Sequence, residues 1–406
     1  MRGRWVDPLS TSSRPTLRYF ATCTNFVTHT VKLGGKLTEI LGVLMISAAL
    51  QSACDNAIRT SRRGDTRSGI GLARHAYRLA RQEGEAAEVT ALNALALCQS
   101  ANGSFIESVA TAIDAYHLAK KVPDPAGAVL ALCTIGGSAS FILDASDFLL
   151  ELLDSCLAEA NALSDTVLQA RVYLVFGLVY VNMGRFAEGD AAYERALALV
   201  EHAGDRAALV TPRHYVTGNH AALAVRRLNA IGTVDRAHFT AVAEARVGQF
   251  LATTLAENNI DAAARAYFSL GQLRAFQDQP AAAEAAFAES ISHAKHIHHF
   301  PRQIDSYLEL GKLHFAAQRF EEAIVALEAA SDLADGNRPT SKIASIFTCL
   351  ADSYAALGRT RDAAHFHAKA VRERESFARE NASAISNIYA FWRPQVSAPG
   401  DPPVAT

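Results

Sequence analysis

Tyr173-Leu-Val-Phe176-Gly177-Leu-Val-Tyr180-Val-Asn-Met-Gly184-Arg-Phe186, followed by Tyr193-Glu-Arg-Ala196, decides the reading of this chain. Aromatic residues flank one glycine, a second glycine follows seven residues later, and a new aromatic run begins at once. A glycine inside an apolar helix lets a partner helix approach closely, and large neighbours fill the space around it. A glycine just past a helix end suits the left-handed cap. The stretch therefore predicts two antiparallel helices joined by a tight turn.

The same unit returns along the chain. Tyr267, Leu270 and Gly271 form one copy, and Tyr307, Leu310, Gly311, Phe320 and Ala323 form the next. Phe347, Leu350, Ala351, Tyr354 and Gly358 follow, with Ala363 and Ala370. Anchored on the small residue of the first helix, eight units fall at Ala57, Ala96, Gly137, Gly177, Gly218, Gly271, Gly311 and Ala351. Their spacings are 39, 41, 40, 41, 53, 40 and 40 residues. Nineteen residues after seven of these anchors stand Ala76, Ala115, Cys156, Ala196, Ser290, Ala330 and Ala370, all small. The 53-residue spacing after the fifth unit predicts an insertion near 226–238.

This pattern resembles the tetratricopeptide repeat family, with a period of about forty residues instead of thirty-four. Long-period units of this kind are similar to the sensor regions of bacterial signalling proteins. The resemblance implies an all-α, right-handed superhelical solenoid of about eight antiparallel helix pairs. The expected organisation is a basic leader without regular structure at 1–44 and the repeat array at 45–372. A capping helix at 373–393 and an irregular tail at 394–406 complete it. The cap's seam is Ala378, Ala382, Ile385, Tyr389 and Trp392, with Arg393-Pro394 as its stop.

Length and composition agree with one array. The chain has 406 residues, half of them hydrophobic and a fifth charged, and its formal net charge is -2. That excludes general disorder and any molecule-wide field for nucleic acid or an anionic membrane. Residues 1–38 hold six Lys/Arg against the single acid Asp7, so the array itself is mildly acidic. The six cysteines have no metal-type spacing and read as reduced, buried residues of a cytoplasmic protein. The apolar run at 40–50 is too short to span a bilayer. Gln51-Ser52-Ala53-Cys54 after it loosely matches a lipoprotein cleavage site, so an exported lipoprotein adaptor is one alternative.

No catalytic or nucleotide-binding motif is present, and no cofactor or metal is expected. The histidine cluster His293, His296, His298 and His299 lies beside no cysteine or carboxylate, and a polar helix end explains it better than a metal. Function is expected from the concave groove, as the family resemblance implies. Positions three before, one after and four after the anchors include Asn93, Leu97, Thr134, Ser138, Phe141, Leu174, Leu178, Tyr215, Asn219, Phe268, Gln272, Leu308, Lys312 and Phe315. These side chains are apolar or uncharged hydrogen-bonders for the most part, which predicts a protein or peptide partner with an apolar or amphipathic segment. The role expected is a non-catalytic scaffold in bacterial signalling or complex assembly. The alternative is the sensory half of a diguanylate cyclase or transcription regulator whose output domain is encoded elsewhere.

Overall fold

The structure is a computed structural model that describes residues 46–143, 147–203, 213–230, 235–337 and 340–396. Residues 46–406 form one unit, and everything below concerns it. The predicted leader lies outside the described residues, as does the tail beyond Val396.

Eight helix pairs follow one another. They are α1 (Ala48–Arg62) with α2 (Thr66–Glu83), α3 (Glu85–Ala101) with α4 (Phe105–Lys121), and α5 (Pro125–Ala139) with α6 (Asp147–Ala162). Next come α7 (Thr166–Asn182) with α8 (Phe186–Ala203), α9 (Arg213–Ala230) with α10 (Arg236–Ala256), and α11 (Ile260–Phe276) with α12 (Pro280–His296). The last two are α13 (Phe300–Ala316) with α14 (Phe320–Asn337) and α15 (Thr340–Ala356) with α16 (Thr360–Val396). Among the described residues there is no strand.

The forty-residue period has a local cause. Helices α3, α4, α7, α11, α12, α13 and α15 are each 17 residues long. The turns that join them repeat one pattern. At Gly184 (φ 72°) the amide donates to Val181 O, and the Arg185 amide reaches back to Tyr180 O. Asn258, Asp278, His298, Gln318 and Gly358 take the same left-handed conformation, with the same paired bonds from themselves and the next residue. This is the Schellman closure, which satisfies the last carbonyls of one helix while aiming the chain into the next. A three-residue turn on a 17-residue helix makes a twenty-residue half-unit.

Packing follows the small residues. The seven small residues named above are fully buried, at 0% exposure, whereas Ala237, nineteen after Gly218, is exposed. A Cβ on Gly177 would stand 2.3 Å from the Tyr193 ring, and on Gly271 it would stand 2.6 Å from Phe287. Gly311 meets Leu327 in the same way, sixteen residues on. In the third pair the tight position is Gly136, against Leu153, while Gly137 borders a cavity. In the fifth pair Gly218 packs on Phe250 of a longer α10 and on Arg265 of the next pair. There α10 is longer than its counterparts, at 21 residues, and 231–234 of the expected insertion lie outside the described residues.

The end of the array differs from expectation in two ways. The stretch 373–393 is no separate cap: α16 is one continuous 37-residue helix that runs past Pro394 to Val396. Its buried stripe is Ala384, Ile388, Phe391 and Trp392, whereas Ala378 and Ala382 of the expected seam are exposed. This stripe does not cover the last pair. Phe391 packs edge-on against Tyr116 of α4 (5.1 Å), and Phe148 of α6 meets both Tyr389 and Trp392. The array has curled far enough for its last helix to land on its second and third pairs. A second meeting of distant parts agrees, since His299 at the start of α13 lies against Gly64 after α1.

Candidate functional site

Because the array curls, the first helices of all eight pairs face one cavity of about 310 Å³. Arg62 comes from α1, Leu97 from α3, Thr134 from α5, Arg171 and Leu174 from α7, Tyr215 from α9, Arg265 from α11, Arg302 from α13 and Lys342 from α15. The wall crosses the helices obliquely. It uses the last turns of α1 and α3, the middle of α5 and α7, and the first turns of α13 and α15.

That drift decides which expected groove residues reach the cavity. Leu97, Thr134, Leu174, Leu178, Tyr215 and Asn219 line it. Asn93 and Ser138 are packing residues instead. The Asn93 amide donates to Gly127 O, and Ser138 sits in a buried hydroxyl chain with Ser108 and Ser100. Leu308 belongs to the core between the last pairs, at 5% exposure. Gln272 lies away from the wall, and Lys312 is exposed and paired with Glu309 at 2.8 Å. Phe268 acts indirectly, carrying the Arg302 guanidinium on its ring at 4.5 Å. A fixed offset from each anchor works only while the wall runs parallel to the register.

What the offset missed is the charge. The wall holds five cations (Arg62, Arg171, Arg265, Arg302 and Lys342) and two carboxylates (Asp261 and Asp305). Arg171 and Arg265 both stand six residues before their anchors, a recurrence that was available in the sequence. Arg265 is stacked on Tyr215 at 4.3 Å and donates to Asn219 Oδ1 at 2.9 Å. Arg302 donates to Asp305 Oδ2 at 3.4 Å, and Asp305 also receives the Lys342 ammonium. Burial would raise the Asp305 carboxyl, yet Lys342 and Arg302 hold it below its usual value. Burial and the like charge of Arg171 push Arg62 down to about 10. Burial lowers Arg171 and Arg302 as well, and Arg265 adds repulsion at Arg302.

The histidines do not form a cluster. His298 is a left-handed turn residue, while His299 caps α13, its Nδ1 accepting the Arg302 amide at 3.1 Å. His293 stacks on Tyr267. Among the described residues no group of three or more His, Cys, Asp or Glu side chains could hold a metal ion. No described helix is long and apolar enough to cross a membrane. Cys54, the residue of the lipoprotein-like motif, is buried within α1 at 1% exposure.

The tetratricopeptide repeat model matches residues 170–199 and 304–337, which are the α7–α8 and α13–α14 pairs. These two pairs are tetratricopeptide repeats, and such repeats support an interaction scaffold that binds proteins or peptides. No curated protein matches the sequence. Several solved structures share a likeness at low identity. A signal transduction ATPase with a tetratricopeptide repeat sensor from Pyrococcus horikoshii is 13% identical over 81% of this chain and 50% of that one, with a TM-score of 0.49. A Rap protein complexed with competence and sporulation factor is 10% identical over 82% and 100%, with a TM-score of 0.47. Aspartyl phosphate phosphatase F from Bacillus subtilis is 10% identical over 81% and 95%, with a TM-score of 0.40.

Proposed function

We propose that this tetratricopeptide-repeat protein captures an amphipathic protein or peptide segment in the cavity bordered by its first helices. The observation that carries the reading is that all eight pairs contribute to one wall. A segment held there would contact several repeats at once, and those contacts come pre-arranged by the packing of α1 to α15. The wall combines apolar residues, Leu97, Leu174, Leu178 and Phe105, with the guanidinium groups. Bacterial signalling or complex assembly is the setting we favour, and the long-period form of the repeats supports it. The scaffold reading rests on the side chains gathered here, arginines beside Tyr215 and apolar residues, which bind and orient a ligand.

The test is site-specific photo-crosslinking in the native cell. A crosslinker at Leu178 should capture a partner segment, and one at Val325, which is 69% exposed on α14, should not. Tyr215→Ala with Phe268→Ala, which removes the rings under Arg265 and Arg302, should abolish capture with helix content retained. Equal crosslinking at both positions, or undiminished capture by the double variant, would overturn the proposal.

A further inference from the structure

The cationic excess of the cavity has no internal counterpart. Arg171 makes no ion pair with any described residue, and its Nε is buried without a hydrogen bond. Arg265 Nη1 and Arg302 Nε are buried and unbonded in the same way. Asp305 is shared between Arg302 and Lys342. Asp261 is turned to His299, 3.6 Å from its Nε2. Guanidinium groups gathered in a partly buried space repel one another, and their few partners return only part of the hydration they give up. The helix crossings are made chiefly by the small residues, although Arg265 also packs against the anchor Gly218.

The groups are also held ready. Arg265 is fixed between the Tyr215 ring and the Asn219 amide, and Arg302 between the Phe268 ring and Asp305. A stacked guanidinium keeps its fork of donors in a set plane, and that fork matches carboxylate and phosphoryl oxygens. Immobilising it beforehand removes much of the ordering cost of binding. At about 310 Å³ the space lies at the lower end for small-ligand sites, too small for a nucleic-acid duplex.

We infer that this cavity is an anion-recognition site, taking a ligand with two or more carboxylate or phosphoryl oxygens shared by Arg171, Arg265 and Arg302. The inference names the chemistry of the cavity proposed above for capture, and it holds whether those oxygens belong to a free small anion or to an acidic peptide segment. Since the three arginines come from α7, α11 and α13, a bound anion would also tie the middle of the array to its later pairs.

The experiment uses the full chain in a chloride buffer, with thermal unfolding and calorimetric titration as readouts. The probes are inorganic phosphate, succinate, a triglutamate peptide and a triglutamine peptide. At least one acidic probe should raise the unfolding temperature above that in sodium chloride of equal ionic strength. Arg171→Gln and Arg265→Gln should each weaken that probe tenfold or more, as expected for the loss of a charge-assisted contact. Arg171→Lys should fall between, and Arg361→Gln on the exposed face of α16 should bind normally. Without any probe, Arg171→Gln should unfold at the same temperature as the parent or higher, because it removes a repelled, desolvated charge. A purely structural arginine would give a drop instead, and that result overturns the inference. So does the failure of every acidic probe to bind. Phosphate or succinate binding without triglutamate supports the anion site and counts against capture of a peptide there. Triglutamate binding without the small anions supports both. Equal binding of triglutamine and triglutamate, unchanged by Arg171→Gln, sinks the anion site and leaves peptide capture standing.

Discussion

Two glycine-to-alanine substitutions should move stability in opposite directions. Each replaces a helical glycine, and in a helix interior that change alone stabilises by about 1 kcal/mol. Gly248 lies on the exposed side of α10, and a Cβ there meets nothing within 4 Å. Gly248→Ala should therefore stabilise by the full propensity gain, about 1 kcal/mol. Gly271 is the anchor of the sixth pair. Its added Cβ would stand 2.6 Å from two carbons of the Phe287 ring, where apolar carbons prefer about 3.5–4.0 Å. Phe287 is 1% exposed, so the ring cannot swing out and the two helices must part. Overpacking of this kind costs typically 1–3 kcal/mol, so Gly271→Ala should be destabilising by about 1 kcal/mol after the propensity gain. The two variants should differ by about 2 kcal/mol in all. Urea unfolding followed by far-UV circular dichroism reads this as midpoints displaced to either side of the parent. Phe287→Leu in the Gly271→Ala background should recover part of the loss. If Gly271→Ala stabilises as much as Gly248→Ala, close approach at the anchors is not what sets the helix crossings.

Other consequences can be checked directly. Burial and the nearby Arg265 push His214 down to about 4, so the fold prefers the neutral ring. Protonation then favours the unfolded chain: stability is complete above about pH 6.5 and falls towards pH 4, by roughly 3 kcal/mol from this group. His214→Gln should flatten that part of the pH profile, and an unchanged profile would refute the assignment. Cys133 and Cys156 are fully buried with their sulfurs 3.5 Å apart, and burial with the neighbouring thiol raises Cys156 well above an ordinary thiol. Among the described cysteines, a thiol reagent should modify the half-buried Cys349 first and reach this pair only on unfolding; early modification of Cys156 would contradict the packing. Phe391→Ala with Trp392→Ala should free the end of α16. Hydrogen exchange should then accelerate in α16 and also in α4, and a change confined to α16 would refute the contact with Tyr116.

Much of the architecture was legible because it depends on local, repeated choices. The anchors and the residues nineteen positions on are small because helices cross there, and a crossing leaves the same mark in every pair. The turn residues Gly184 and Gly358 carried their conformation openly, whereas Asn258, Asp278, His298 and Gln318 adopt it without a glycine to announce it. The site was legible only in part. Leu97, Thr134, Leu174 and Tyr215 follow from family register, yet Arg265, Arg302 and Lys342 depend on how the array curls, and curl is the sum of small rotations at every interface. The seam of α16 was misplaced for a related reason. Its partners Tyr116 and Phe148 lie in remote pairs, so no local pattern selects Ala384 and Ile388 over Ala378 and Ala382.

The landing of α16 on α4 and α6 has a kinetic side. A linear stack can begin folding at any repeat and spread by nearest-neighbour steps, and it frays from both free ends. Here Tyr116 and Phe391 meet although two thirds of the chain separates them. That contact can form only after the intervening pairs have assembled, so it belongs late in folding and should be almost absent from the transition state. Interactions made after the transition state slow unfolding and leave the folding rate nearly unchanged. The aromatic residues at the end of α16 should thus act as a catch, setting how long the assembled array persists.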